Sequence, residues 1–150
     1  LTLMGSGPGA IPEGHHHRMR LFADVLRKHG LDVVWSAKQA LEEEEGPPPP
    51  SDDRIQQFLT TRFLANSPGS LLAMVDILCT EPDRSDELAT LAPRTLVLTG
   101  ETDDVWPASE QETMAATLAA SFVWLSGVGH APAVEAPELT TAALLDFWRS

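Results

Sequence analysis

The sequence predicts an α/β fold built on parallel strands, and three observations carry that prediction. Short, unbroken apolar runs occur at residues 1–4 (LTLM), within PRTLVLTG at 93–100 and within SFVWLSG at 121–127. They are too short for helices and lack the polar alternation of a half-exposed strand, so they read as strands buried on both faces. The second and third runs are each followed by a helix-like segment, SEQETMAATLAA and PELTTAALLDFW. Strand–helix alternation of this kind signals βα units. Finally, residues 10–92 are helical and proline-interrupted in texture, whereas a crossover between parallel strands needs only about a dozen residues. The surplus is expected to be an inserted helical subdomain. The expected division is a core strand and hinge at 1–12, a helical segment at 13–90, and a C-terminal βαβα segment at 91–150.

Each element has a local reason. LTLM breaks into GSGPG, a strand feeding a loop. Met19, Phe22, Ala23 and Leu26 fall at helical spacing over 15–30, and Gly30 suits the C-terminal cap. LDVVWSAKQALEEEE is expected to be partly helical, its acidic end solvated. Gly46 to Pro50 cannot continue a helix and should be extended. Ser51 is placed to cap a helix with the stripe Ile55, Phe58, Leu59 and Phe63. Ser67-Pro68 supplies a second start, cap then proline, for a helix carrying Leu71, Leu72, Val75 and Leu78. Ser109 and Glu112 have capping-box spacing before the next helix.

Bulk composition excludes several functions. Ten basic against 22 acidic residues give a net charge of −12, the wrong sign for nucleic-acid binding, which runs on clustered Lys and Arg. No apolar run reaches the ~18 to 20 residues of a membrane span. Cys79 is alone, cannot form an internal disulfide, leans the localisation toward the cytoplasm and, on the helix-like face AMVDILC, is expected to be a buried, inert thiol of the core. The histidines at 15–17 are consecutive and point in different directions on a helix, so no metal site is expected there. GSGPG lacks the Lys-Ser/Thr of a phosphate loop.

The chemistry lies at the strand ends. In open α/β sheets ligands bind beyond the carboxyl ends of the strands. LTGETDDVWP puts Asp103 and Asp104 just past one such end, and LSGVGHAP puts His130 past the next. Parallel neighbours bring both loops to one rim, where a carboxylate can fix the tautomer of an imidazole that acts as a general base. Either aspartate can serve on this reading. Trp106 and Val128 flank the two residues and are candidate substrate-pocket positions.

These segments resemble the closing third of the α/β-hydrolase superfamily. There a penultimate strand ends in Gly-x-x-Asp-x-x-x-Pro, matched by Gly100, Asp103 and Pro107. The last strand leads to Gly-x-Gly-His and then Glu-x-Pro, matched by Gly127, Gly129, His130, Glu135 and Pro137. The resemblance is specific over 83–149 and looser before, and it implies Asp103 as triad acid and His130 as general base. Asp104 departs from the pattern, since many relatives carry proline there. The glycine spacing favours Asp103.

A nucleophile is missing. That family presents it in Gly-x-Ser-x-Gly at a strand-to-helix turn, and no such pentapeptide occurs here. Ser6 follows a strand, but Met4 and Pro8 stand where small residues are required and a loop follows it. LTLMGSGPGAIP instead resembles the strand after the nucleophile elbow and the hinge to the cap, which implies a nucleophile upstream of these residues. The chain is thus expected to be the C-terminal portion of an α/β-hydrolase with its helical cap. The implied function is hydrolysis of a small, apolar ester-like substrate, such as a carboxyl ester or lactone, with no metal or organic cofactor. The 150 residues alone are expected to be inactive. A non-catalytic ligand-binding protein of the same fold is the alternative.

Overall fold

The computed structural model describes residues 1–45 and 53–150. The chain forms two compact units: Leu1–Pro12 with Thr80–Ser150, and Glu13–Cys79. Residues 80–90, grouped with the helical segment by sequence, fold with the sheet.

The first unit is a parallel sheet between helices. Strands β1 (Thr2–Met4), β2 (Leu96–Gly100) and β3 (Ser121–Leu125) lie in the order β1-β2-β3. Both pairings are parallel, with Thr2 opposite Leu96 and Gly100 opposite Leu125. Five helices complete the strand connections and flanks of this unit and its insertion: α1 (Glu13–His29), α2 (Leu31–Glu45), α3 (Asp53–Leu64), α4 (Pro68–Thr80) and α5 (Ser85–Thr90) precede β2. Helix α6 (Ala108–Thr117) joins β2 to β3, and the one-turn α7 (Pro132–Glu135) and α8 (Pro137–Arg149) follow β3.

β2 is buried along its whole length, which is why its sequence reads as an unbroken apolar run. Because alternate residues face opposite sides, Leu96 and Leu98 enter a cluster with Leu125, Val128 and Phe147 of α8. Val97 enters another with Met114, Ala115 and Leu118 around α6, and Leu3 and Leu88 pack against it. Each such buried side chain contributes roughly 1.5–3 kcal/mol through removal from water. Arg94 stacks over the Phe147 ring at 4.1 Å and donates to the Phe147 carbonyl, tying the end of α8 to the start of β2.

In the second unit Phe63 of α3 meets Phe22 of α1 edge-on at 6.5 Å and Trp35 of α2 at 5.0 Å. Gly30 separates α1 from α2 at φ +82, a left-handed conformation glycine adopts without strain, and its N–H caps the Leu26 carbonyl. The proline start of α4 forms as the sequence predicts, with Leu71 N–H bonded to the Ser67 carbonyl.

Three local expectations are corrected. α3 buries none of its residues, and Phe58 is 61% exposed, since the helix is held through the Phe63 ring and not along a stripe. Capping of α6 by Ser109 does not occur. The cap lies two residues earlier, at Pro107 with ψ 137, so the helix begins at Ala108, and no side chain bonds the cap. Cys79 is half-buried, not core. The extended run expected at 46–50 and the Ser51 cap lie outside the described residues.

Candidate active site

The register Gly100↔Leu125 makes β2 and β3 end side by side, so their following loops leave one edge of the sheet together. Gly100 makes this possible. A Cβ there would run into the carbonyl oxygens of Val128 and Gly129, so only glycine lets the second loop cross so close to the first. The crossing is then bonded: Glu101 N–H donates to the Leu125 carbonyl at 3.0 Å, and Thr102 N–H and hydroxyl both reach the Val128 carbonyl, at 2.9 and 3.1 Å. The Glu101 carboxylate accepts from the Ser126 hydroxyl at 2.7 Å and the Gly127 N–H at 2.8 Å. These two bonds, the Ser126 one first, hold its carboxyl below the usual glutamate range.

This platform sets Asp103 against His130. Asp103 Oδ1 lies 3.1 Å from His130 Nδ1 and also accepts the N–H groups of Val105 (2.9 Å) and Trp106 (3.2 Å). Its Oδ2 accepts from Gln111 Nε2 at 3.0 Å. The aspartate side chain is wholly buried, and the imidazole is 39% exposed. A buried carboxylate is tolerable only when it is hydrogen-bonded, and this one has four donors or donor-capable neighbours.

His130 is held from both sides of its backbone. Glu135 Oε2 accepts the Gly129 N–H at 2.6 Å, and Oε1 accepts the Ala131 N–H at 2.9 Å. Proline begins α7 at Pro132, and the short helix returns Glu135 to the loop that precedes it. The third strand end arrives through Gly5, at φ +54, where a Cβ would stand 2.7 Å from the His130 carbonyl oxygen and 3.5 Å from the ring carbon Cε1. Gly7 lies against the Trp106 indole so closely that no side chain would fit. Trp106 is buried and its ring centroid is 5.9 Å from that of His130.

The structure thus brings His130, Asp103 and Trp106 together. Asp104 is exposed and takes no part in the pair's hydrogen bonds. Val128, expected to line a pocket, is instead a core residue, 5% exposed and packed with Leu96, Leu98 and Phe147; its backbone carbonyl, not its side chain, serves the loop crossing. Ser6 lies between the two glycines that run beside His130 and Trp106, and its hydroxyl is buried with no partner among the described residues. Two contributors escape the sequence reading, Glu101 and Gln111. No group of metal-ligating side chains occurs among the described residues.

A neutral imidazole that donates from Nδ1 to a carboxylate carries its lone pair at Nε2. His130 Nε2 has no hydrogen-bond partner among the described residues, so it is free to accept a proton from another group.

No family model matches the chain, and no curated protein does. Solved structures do. A thermophilic esterase from Thermogutta terrifontis superposes with a TM-score of 0.73 at 24% identity, over 99% of this chain and 55% of its own length. An esterase from Exiguobacterium antarcticum gives 0.78 at 17% identity, over 100% and 57%. The enol-lactonase from Burkholderia xenovorans LB400 gives 0.76 at 15%, over 99% and 55%. The chain spans little more than half the length of each of these proteins. With a parallel sheet, helices on both its faces and a helical insertion between β1 and β2, the chain has the α/β-hydrolase fold, of which it represents the C-terminal part.

Proposed function

We propose that the protein containing this chain hydrolyses a small, apolar ester-like substrate, with His130 as general base and Asp103 as its orienting acid. The observation that carries this reading is the 3.1 Å contact between His130 Nδ1 and a fully buried Asp103, at the ends of neighbouring parallel strands. The esterases and the lactonase that share the fold support the same reaction class.

In this mechanism the nucleophile is a hydroxyl supplied from outside the described residues. His130 Nε2 takes its proton as the oxygen attacks the substrate carbonyl, and Asp103 stabilises the imidazolium formed. The imidazolium then gives that proton to the departing alkoxide, releasing the alcohol and leaving an acyl-enzyme. A water molecule, deprotonated by the same Nε2, attacks the acyl carbon. The proton returns to the nucleophile as the acid departs. Trp106 forms an apolar wall beside the base. The reaction needs no metal or organic cofactor. The apolar composition of the helical insertion favours an apolar substrate.

The test is steady-state kinetics of the full-length protein on p-nitrophenyl esters of short acids. His130→Ala is expected to lower kcat by a factor on the order of 10³ or more, with the fold retained by circular dichroism. Undiminished turnover in that variant overturns the assignment. An inert wild-type protein that still binds apolar esters would favour the ligand-binding alternative.

A further inference from the structure

We infer that Gln111 is a positioning residue for the His130–Asp103 pair, an inference that rests on the reading of His130 as the base. Gln111 opens the buried stripe of α6, at helical spacing from Met114, Ala115 and Leu118, and is itself completely buried. An amide in an apolar stripe is unfavourable unless its polar atoms are bonded. Its Nε2 donates one N–H to Asp103 Oδ2 at 3.0 Å and the other to the Trp106 carbonyl at 3.1 Å. Its Oε1 has no partner among the described residues. Methionine would fill this slot at the same length without leaving a buried acceptor orphaned. What glutamine alone adds is the pair of donors.

Those donors act where the carboxylate is otherwise unrestrained. Asp103 Oδ1 already receives two backbone N–H groups and faces the imidazole, while among the described residues Oδ2 is bonded to Gln111 alone. A terminal carboxylate torsion is broad and two-fold, so backbone bonds to one oxygen leave rotation about that oxygen open. Gln111 fixes the plane by holding the second oxygen. Through the Trp106 carbonyl it also closes the turn from Asp103 to Trp106. The carboxylate is thereby set to receive the Nδ1 proton, which keeps the lone pair of His130 on Nε2.

The experiment reads the tautomer directly. In full-length protein labelled with 15N-histidine, the His130 resonances are assigned by their loss in His130→Ala, and the ring shifts distinguish Nδ1–H from Nε2–H. The wild type is expected to hold the neutral ring in the Nδ1–H form. Gln111→Met is expected to give a mixture of the two tautomers, and kcat on p-nitrophenyl butyrate reduced by about 10- to 100-fold at unchanged KM. Gln111→Glu keeps the shape and settles the matter if the methionine variant does not fold. The introduced carboxyl donates only while protonated, so the Nδ1–H share of the neutral ring, and kcat relative to wild type at the same pH, should recover as pH falls and be lost as it rises. Wild-type tautomer and kcat in Gln111→Met, or no such pH dependence in Gln111→Glu, overturns the inference. Asp103→Asn separates the two levels: a tautomer change there with none in Gln111→Met removes Gln111 alone, and no change in either removes the pair as well.

Discussion

Asp103 and Asp104 are adjacent, chemically identical, and opposite in their surroundings. One is buried with its oxygens occupied by four groups, the other stands in solvent. In the full-length protein Asp103→Asn is therefore expected to lower kcat by about 10³- to 10⁴-fold, because an amide in that place stabilises the wrong tautomer. Asp104→Asn should leave kcat within about two-fold. Parallel assays of the two variants on one ester check this, and equal losses would refute the assignment. From the residues alone either aspartate could serve, and it was the glycine spacing of the resemblance, Gly100 to Asp103, that pointed to the one the fold buries. Gln111 was legible only in part. Its place at the head of the stripe Met114, Ala115, Leu118 marks it as a polar residue on an apolar face, but nothing in the sequence says which way α6 turns that face. Val128 misled for the complementary reason, since proximity to His130 in sequence does not fix the side of the loop on which a side chain falls.

At the level of elements, α6 ends in a way the sequence conceals. Leu118 caps it, Ala119 follows at φ +49, and Ala120 N–H reaches back to the Ala115 carbonyl while Ala119 N–H reaches Ala116. This is the Schellman arrangement, with alanine where glycine usually stands. The left-handed conformation costs an L-residue about 1–2 kcal/mol, against about 0.5–1 kcal/mol of extra chain entropy that glycine loses on folding. Ala119→Gly is accordingly expected to stabilise the protein by up to about 1 kcal/mol, seen as a higher urea midpoint at unchanged m-value. A lower midpoint would refute the strain argument. Alanine gives a reader no stop signal, whereas Gly30, Pro68 and Gly100 each announce the turn they make. The same logic explains α6's other end: Ser109 and Glu112 have the right spacing for a capping box, but Pro107 already fixes the helix start upstream of them.

At the scale of the whole chain, both edge strands of the first unit's sheet, β1 and β3, pair on one side only among the described residues. β2 is covered on both faces and paired on both sides, while among the described residues β1 pairs only with β2, and Leu1 and Met4 are 50% and 38% exposed. An apolar strand with one unpaired edge is a template for further strands. Opposing this is the net charge of −12, whose repulsion is screened by salt. The 150-residue chain expressed by itself is thus expected to associate, more strongly at 0.5 M than at 0.05 M salt, and to hydrolyse p-nitrophenyl esters no faster than buffer. Light scattering coupled to size exclusion checks the first, and a monodisperse monomer at both salts would count against it. The fold was legible at this scale because the strands are short, apolar and alternate with helices. How residues 80–90 divide between the units was not, since α5 carries no pattern of its own that distinguishes a helix of the insertion from one against the sheet.

The unequal exposure of the pair gives it a direction. The Asp103 side chain has no exposed surface and that of His130 has some, with its Nε2 unoccupied among the described residues. Solvent therefore meets the couple only at the imidazole, and the carboxylate behind it is shielded from direct contact. The arrangement resembles a valve seated in the sheet, with its stem anchored among backbone amides and its one port open to solvent.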